Sequence, residues 1–224
     1  CQIRSSLSSR RRIWTKLGGS KTNLYGETMD QRTKTPTQRN VDLKAIHQRL
    51  KGGHVLRYHA KPEIADGQNV AAHTWRAMVI LQTLWPDSSK NAMIHMMYHD
   101  VAEAETGDIP ATTKWNYPQF AETLQQIEYD YANKLDIGFE TFPVGAEERD
   151  MCDIADKLEL TMHCFRLMQT GNTFAHEVFN TGVRYLTKTY LGNDENRSKY
   201  RRVEQILIEL MNAAPATSGY IKNK

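Results

Sequence analysis

The sequence predicts an all-α fold, a helical bundle, on three observations. Apolar residues recur at spacings of three and four over most of the chain beyond residue 40. No strand-type alternation runs longer than a few residues. Glycines, prolines and capping side chains punctuate the apolar runs at intervals of helical length. With 224 residues, 40% of them apolar and 25% charged, the chain can bury one well-packed core and has an ordinary globular composition.

The elements follow in order. VDLKAIHQRL, residues 41–50, carries Leu43, Ile46 and Leu50 on one face, and Gly52-Gly53 ends it. HVLRYHAKPEIADGQN, broken by Pro62 and Gly67, reads as a loop. Asn69 is the expected N-cap of VAAHTWRAMVILQTLW, which stops at Pro86. Asp87 or Ser88 caps the next helix, expected to run unbroken over residues 89–106 and to end at Gly107. After a proline-bearing loop, Pro118 or Gln119 opens a long helix to residue 134, with Phe120, Leu124, Ile127, Tyr131 and Leu135 along one stripe. Gly138, Pro143 and Gly145 make a loop, and a helix over 146–170 is closed by Gly-Asn-Thr. The last helices are expected over 174–190 and 195–213. The predicted organisation is a basic flexible arm over 1–37, one helical domain over 38–214 and a polar tail over 215–224.

Composition excludes several classes. No apolar run reaches the ~18 residues of a membrane span. The best, 77–85, is shorter and carries Gln82 and Thr83. Cys1, Cys152 and Cys164 form no CxxC pair and no disulfide framework, which points to a reducing, cytoplasmic setting, or the host cytoplasm for a viral protein. Charge is uneven: residues 1–40 hold nine Lys/Arg against Glu27 and Asp30, a balance of +7, which leaves −4 for the rest of a chain whose net charge is +3. A basic arm suits a solvated tail or a contact with nucleic acid, and the acidic body is not a nucleic-acid-binding domain.

Chemistry concentrates in MMYHDVAEAETGDIP, residues 96–110. In an unbroken helix His99 and Glu103 lie one turn apart on one face, with Asp100 beside them. Met93, Met96 and Met97 load the same helix with apolar surface, so the His-Asp pair is expected to be buried and in need of compensation. The pair either bonds internally or to a helix end, or it belongs to a metal site. Two further places favour metal. His73 stands near the start of the preceding helix, which the tight Pro-Asp-Ser-Ser turn folds antiparallel onto the next, bringing His73 toward His99. Asp150, Asp153 and Asp156 recur at helical spacing, and Asp156, flanked by Ala155 and Leu158, is the one in the most apolar surroundings. His73, His99, Asp100 and Asp156 make a nitrogen and oxygen donor set for one divalent ion (Mn²⁺, Co²⁺, Fe²⁺, Zn²⁺ or Mg²⁺). His95 reads as core or support, and His47, His163 and His176 stand near no other candidate ligand.

The pattern His73 … His99-Asp100 … Asp156 resembles the signature of the HD-domain metal-dependent phosphohydrolases. RYHAKPEIADGQNVAAHTWRA, YHDVAEAETGDIPATTKW and IADKLEL are similar to the bacterial HD-type 5′-deoxynucleotidases and to phage nucleotide triphosphohydrolases of the same group. The resemblance spans about residues 54–168 and implies roles. Arg57 would grip the substrate phosphate. Glu103 would orient or deprotonate the attacking water, and Asp108 would assist as a second acid or hold the water network. Lys114, in the TGDxPxxxK stretch, would contact phosphate. Tyr58 stands where the family has tryptophan, a smaller aromatic wall against the ribose 2′-hydroxyl. The expected activity is hydrolysis of (deoxy)nucleoside 5′-monophosphates by metal-activated water, in a homo-oligomer. Its rivals are a dNTP triphosphohydrolase and a non-catalytic nucleic-acid-binding protein that works through the arm.

Overall fold

A computed structural model describes residues 43–138 and 141–215. The arm expected over 1–37 and residues 216–224 of the expected tail lie outside the described residues. Among the described residues the secondary structure is helical, with one isolated antiparallel bridge between Leu56 and Asn69.

Helix α1 (Leu43–Lys51) runs into a short 3₁₀ turn, Gly52–His54, and leaves the apolar face of Leu43, Ile46 and Leu50 exposed. Helix α2 (Val70–Leu84) starts where expected: Asn69 Oδ1 accepts from the Ala72 amide at 2.9 Å. The next cap is Ser89 rather than Asp87 or Ser88, its side chain accepting from Ala92 N at 3.1 Å.

The helix expected over 89–106 is broken at the His-Asp pair. Helix α3 (Lys90–Tyr98) ends there, and α4 (Glu103–Thr106) begins after a tight turn. Through the break the amides of Val101, Glu103, Ala104 and Glu105 bond three residues back instead of four. His99 Nδ1 meanwhile takes the Met96 carbonyl at 2.7 Å, so a side chain replaces a helical amide at that oxygen. Met96 is buried as expected, whereas Met97 is 45% exposed.

The expected proline-bearing loop contains a further short helix, α5 (Ala111–Asn116). Helix α6 (Pro118–Lys134) has proline at its first turn, where no amide partner is needed. Helix α7 (Ala146–Gln169) and α8 (Ala175–Tyr190) match their expected spans, while the last expected helix splits at Tyr200 into α9 (Asp194–Lys199) and α10 (Arg201–Ala213).

Helix α7 is the axis of the fold. Ile154 and Leu158 pack toward Phe179, Leu186, Val203 and Leu207 of α8 and α10. Cys152 and Ala155 pack toward Ala77 and Leu81 of α2 and Ala92 and Met96 of α3. A third cluster buries Val101 and Ala102, directly after Asp100, against Tyr131, Leu135 and Ile137, and so anchors the turn that carries the His-Asp pair. The 3₁₀ turn backs this arrangement: a Cβ on Gly52 would stand 2.8 Å from both Cα and the carbonyl oxygen of Val101.

Gly52→Ala should therefore force two backbone segments apart. We expect a loss of about 1–3 kcal/mol in denaturant unfolding, with a lowered Tm. Gly145→Ala, where a Cβ meets nothing within 4 Å, should leave stability nearly unchanged.

Candidate metal centre

His73 sits in the first turn of α2 with no solvent exposure. Its Nδ1 is 2.6 Å from Glu159 Oε2, and its Nε2 is 3.1 Å from Asp156 Oδ1. Both acids come from α7, three residues apart and so on one face. The antiparallel packing of α2 and α3 brings His99 Nε2 to 3.3 Å from His73 Nε2. Asp100 Oδ2 lies 3.3 Å from His99 Nε2 and 3.7 Å from His73 Nε2. Asp156 Oδ1 is 3.9 Å from His99 Nε2.

The orientation of the two imidazoles carries most of the chemical meaning. Met96 O can only accept, and the Glu159 carboxylate likewise accepts, so each Nδ1 carries a proton. The two Nε2 atoms are turned toward one another and toward Asp100 Oδ2 and Asp156 Oδ1. That inward-facing group favours positive charge, a proton on Nε2 or a bound cation. The carboxylates reinforce this demand. Burial would lower the pKa of His99, yet Asp100 and Asp156 outweigh it and hold that pKa well above 6.5. Burial would raise Asp100, but His99 and Arg57 hold it well below the usual carboxylate range. Asp156 is likewise pulled well down, against burial, by the Lys157 ammonium and by His73.

A divalent ion fits this donor set. Ligands about 2.0–2.2 Å from an ion stand about 3.0–3.6 Å apart around it, close to the spacings measured here. One donor atom from each of His73, His99 and Asp156 forms a group whose members all lie within 4.8 Å of one another. Asp100 stands at the edge of that group, facing both histidines and shared with Arg57. Each histidine also has the outward Nδ1 partner that usually orients a metal-binding imidazole.

The remaining expected residues surround the cluster in different ways. Arg57 Nη1 is 2.9 Å from Asp100 Oδ2, its Nε is buried with no partner, and its guanidinium carbon lies 5.5 Å from the Tyr58 ring centre. Tyr58 has a φ of +60°, a left-handed conformation uncommon for a bulky residue. Its amide donates to Asp108 Oδ2 at 2.6 Å, so Asp108 pins the backbone beside Arg57. Glu103 Oε2 is buried without a partner. Burial first, then Asp100 and Asp108, pushes the Glu103 pKa up to about 9, against the pull of Arg57 and Lys114. Lys114 is half-buried on α5, within electrostatic reach of Glu103.

Several residues in and around the cluster were not legible as such. Glu159, 2% exposed, lies between Leu158 and Leu160. The burial argument that singled out Asp156 applied to it as well. Lys157 pairs with the outer oxygen of Asp156, at 33% side-chain exposure. Gln68 Nε2 donates to Glu159 Oε1 at 2.9 Å. His163, expected to stand apart, stacks on Tyr58 with ring centres 5.3 Å apart. Asp153 is not in the cluster: it accepts from the hydroxyls of Tyr185 and Tyr190 at 2.8 and 2.5 Å. His95 is half-buried on α3, its pKa lowered to about 4 by burial and then by His99.

A sequence model described as "5′-deoxynucleotidase YfbR-like" matches residues 54–200, a span that holds His73, His99, Asp100 and Asp156. A 5′-deoxynucleotidase of Photorhabdus laumondii is 27% identical over 113 residues, 50% of this chain and 53% of that protein. The chain thus spans about half the length of the curated relative it matches. Two solved structures, a conserved hypothetical protein of Pyrococcus furiosus and a protein of Pyrococcus horikoshii, superpose with a TM-score of 0.58 each. At 19% identity they cover 76% of this chain and 99% of theirs, a likeness of fold.

Asp108→Ala removes the carboxylate that holds the Tyr58 amide. The expected result is a loss of about 1–3 kcal/mol in denaturant unfolding, with divalent-metal binding, read by calorimetric titration, retained. Loss of metal binding with full stability would assign Asp108 to the ion instead.

Proposed function

Because the chain belongs to the YfbR-like 5′-deoxynucleotidase family, we propose that it is a metal-dependent phosphohydrolase that removes the 5′-phosphate of (deoxy)nucleoside monophosphates. The observation that carries this reading is the opposition of His73 Nε2 and His99 Nε2 at 3.3 Å, both Nδ1 atoms being committed elsewhere. We assign His73, His99, Asp100 and Asp156 as the ligands. When bound, a divalent ion supplies positive charge against phosphoryl oxygens and makes water more acidic. The imidazole-bearing set favours Mn²⁺, Co²⁺, Fe²⁺ or Zn²⁺ over Mg²⁺.

The chain's own residues divide the rest of the work. Glu103 Oε2, buried and free of partners, is the atom that takes the proton of the attacking water. Its pKa near 9 in the cation-free cluster reflects burial and the Asp100 and Asp108 charges, and added positive charge brings it down toward the working range of a general base. Arg57 grips the phosphate with the part of its fork that Asp100 leaves free, and Lys114 adds positive charge on the Glu103 side. Tyr58, braced by His163, forms the aromatic wall beside the sugar. The homo-oligomer belongs to the same reading, supported by the uncovered apolar face of α1.

The test is a screen of purified protein, supplemented with Mn²⁺ or Co²⁺, against nucleoside monophosphates, their deoxy forms and deoxynucleoside triphosphates. Orthophosphate and triphosphate release are measured separately. Orthophosphate from monophosphates is expected. Triphosphate release would favour the rival specificity, and turnover of no nucleotide would end the phosphohydrolase reading.

Two variants separate the roles. His99→Ala should lose both bound metal and activity. Glu103→Gln should keep metal stoichiometry while kcat falls about 10²–10⁴-fold, the usual contribution of a general base.

A further inference from the structure

We propose that Glu159 is a positioning residue, a buried carboxylate that fixes the His73 ring for its ligand role and ties it to the loop bearing Arg57. The inference rests on the metal-centre reading above and goes beyond it, because Glu159 lies outside the four assigned ligands.

Three observations carry it. Glu159 Oε2 accepts from His73 Nδ1 at 2.6 Å inside the core, which keeps a proton on Nδ1 and turns Nε2 toward Asp156 Oδ1 and His99 Nε2. Its other oxygen, Oε1, accepts from Gln68 Nε2 at 2.9 Å, with Arg76 Nη1 3.6 Å away. The Gln68 carbonyl in turn accepts the Arg57 amide at 2.9 Å. A continuous path of hydrogen bonds therefore runs from a ligand histidine through Glu159 and Gln68 to the backbone of the residue assigned to the phosphate. Outer carboxylates of this kind fix the tautomer and aim of a metal-binding imidazole.

The donors around Glu159 explain why a carboxylate is required. His73 faces one oxygen and Gln68, with Arg76 at longer range, faces the other, and only a group with two acceptor oxygens serves both sides without rearrangement. In Glu159→Gln the new amide oxygen accepts from His73, and its NH₂ donates to Gln68 once that amide turns over. Gln68 Oε1, buried and without a partner, is the acceptor such a turn uses. Glu159→Leu removes both bonds and offers no replacement.

The experiment compares the full-length protein with Glu159→Gln and Glu159→Leu by three readouts. These are Co²⁺ titration of the metal-free protein, imidazole ¹⁵N–¹H spectra that report the His73 tautomer, and circular dichroism for folding. In the wild type His73 is expected as the Nδ1–H tautomer. Glu159→Gln keeps that tautomer and binds Co²⁺ within about tenfold of wild type, while Glu159→Leu mixes the tautomers and weakens Co²⁺ binding by about 10–100-fold. A folded Glu159→Leu protein with wild-type tautomer and Co²⁺ affinity overturns the proposal, as does an Nε2–H tautomer in the wild type. Should Glu159→Leu fail to fold, Glu159→Ala takes its place: mixed tautomers with weakened Co²⁺ binding uphold the proposal, and wild-type tautomer and affinity overturn it. A wild-type protein that binds no Co²⁺ yet shows the pinned tautomer refutes the metal centre while leaving the Glu159–His73 assignment standing.

Discussion

His73 is clamped between two carboxylates of one helix, Glu159 on Nδ1 at 2.6 Å and Asp156 on Nε2 at 3.1 Å, and the geometry of the site follows from that clamp. Burying an imidazole with two acids is costly unless every polar atom finds a partner. The partners are found in one register only, because the acids are three residues apart and a slip of one residue moves a helix about 1.5 Å. The apolar contact of Ala77 and Leu81 with Cys152 and Ala155 supplies adhesion between α2 and α7 and tolerates sliding. The polar clamp supplies the register. Once α2 is placed on α7, the short connection to α3 brings His99 into line.

The second constraint is the break after α3. A continuous helix would carry the His99 backbone onward with ordinary amide bonds. The chain instead tightens through residues 99–102, and His99 Nδ1 takes the Met96 carbonyl. The turn keeps its shape because Val101 and Ala102 are buried against Tyr131 and Leu135 on one side and Gly52 closes against Val101 on the other. The Arg57–Tyr58 loop is tied to the same region twice, by Arg57 on Asp100 and by Asp108 on the Tyr58 amide. The left-handed backbone at Tyr58 is local strain that these bonds sustain. The histidine–carboxylate cluster, Arg57 and the buried Glu103 thus belong to one braced unit.

Much of this was legible in the sequence, and the misses have physical causes. The caps and breaks at Asn69, Pro118 and Gly145 act within a few residues, so α2, α6 and α7 were readable from local chemistry. The break at His99 was not, since 96–106 has good helical periodicity and what interrupts it is a side chain competing for a carbonyl. Splitting of the last helix at Tyr200 has a similar origin: Tyr200 is buried among Trp85 and Tyr190, contacts distant in sequence. Glu159 was overlooked because an acid in a helix is ordinarily solvated, and only the approach of α2 makes this one a buried partner. His163 looked isolated for the same reason, its neighbour Tyr58 lying about a hundred residues earlier in the chain.

By itself, then, the sequence determined the helical class, the span of the principal helices and the four residues His73, His99, Asp100 and Asp156 as candidates, because spacing, capping and residue chemistry are properties of short stretches. Only the tertiary structure decided how those residues meet: which imidazole nitrogens face inward, that Asp100 is shared with Arg57, that Asp108 holds a backbone amide, and that Glu159 stands behind His73. Those outcomes depend on the relative register of α2, α3 and α7. That register is selected by pairing buried charges and lone pairs across helices, a condition that no single stretch of the chain contains.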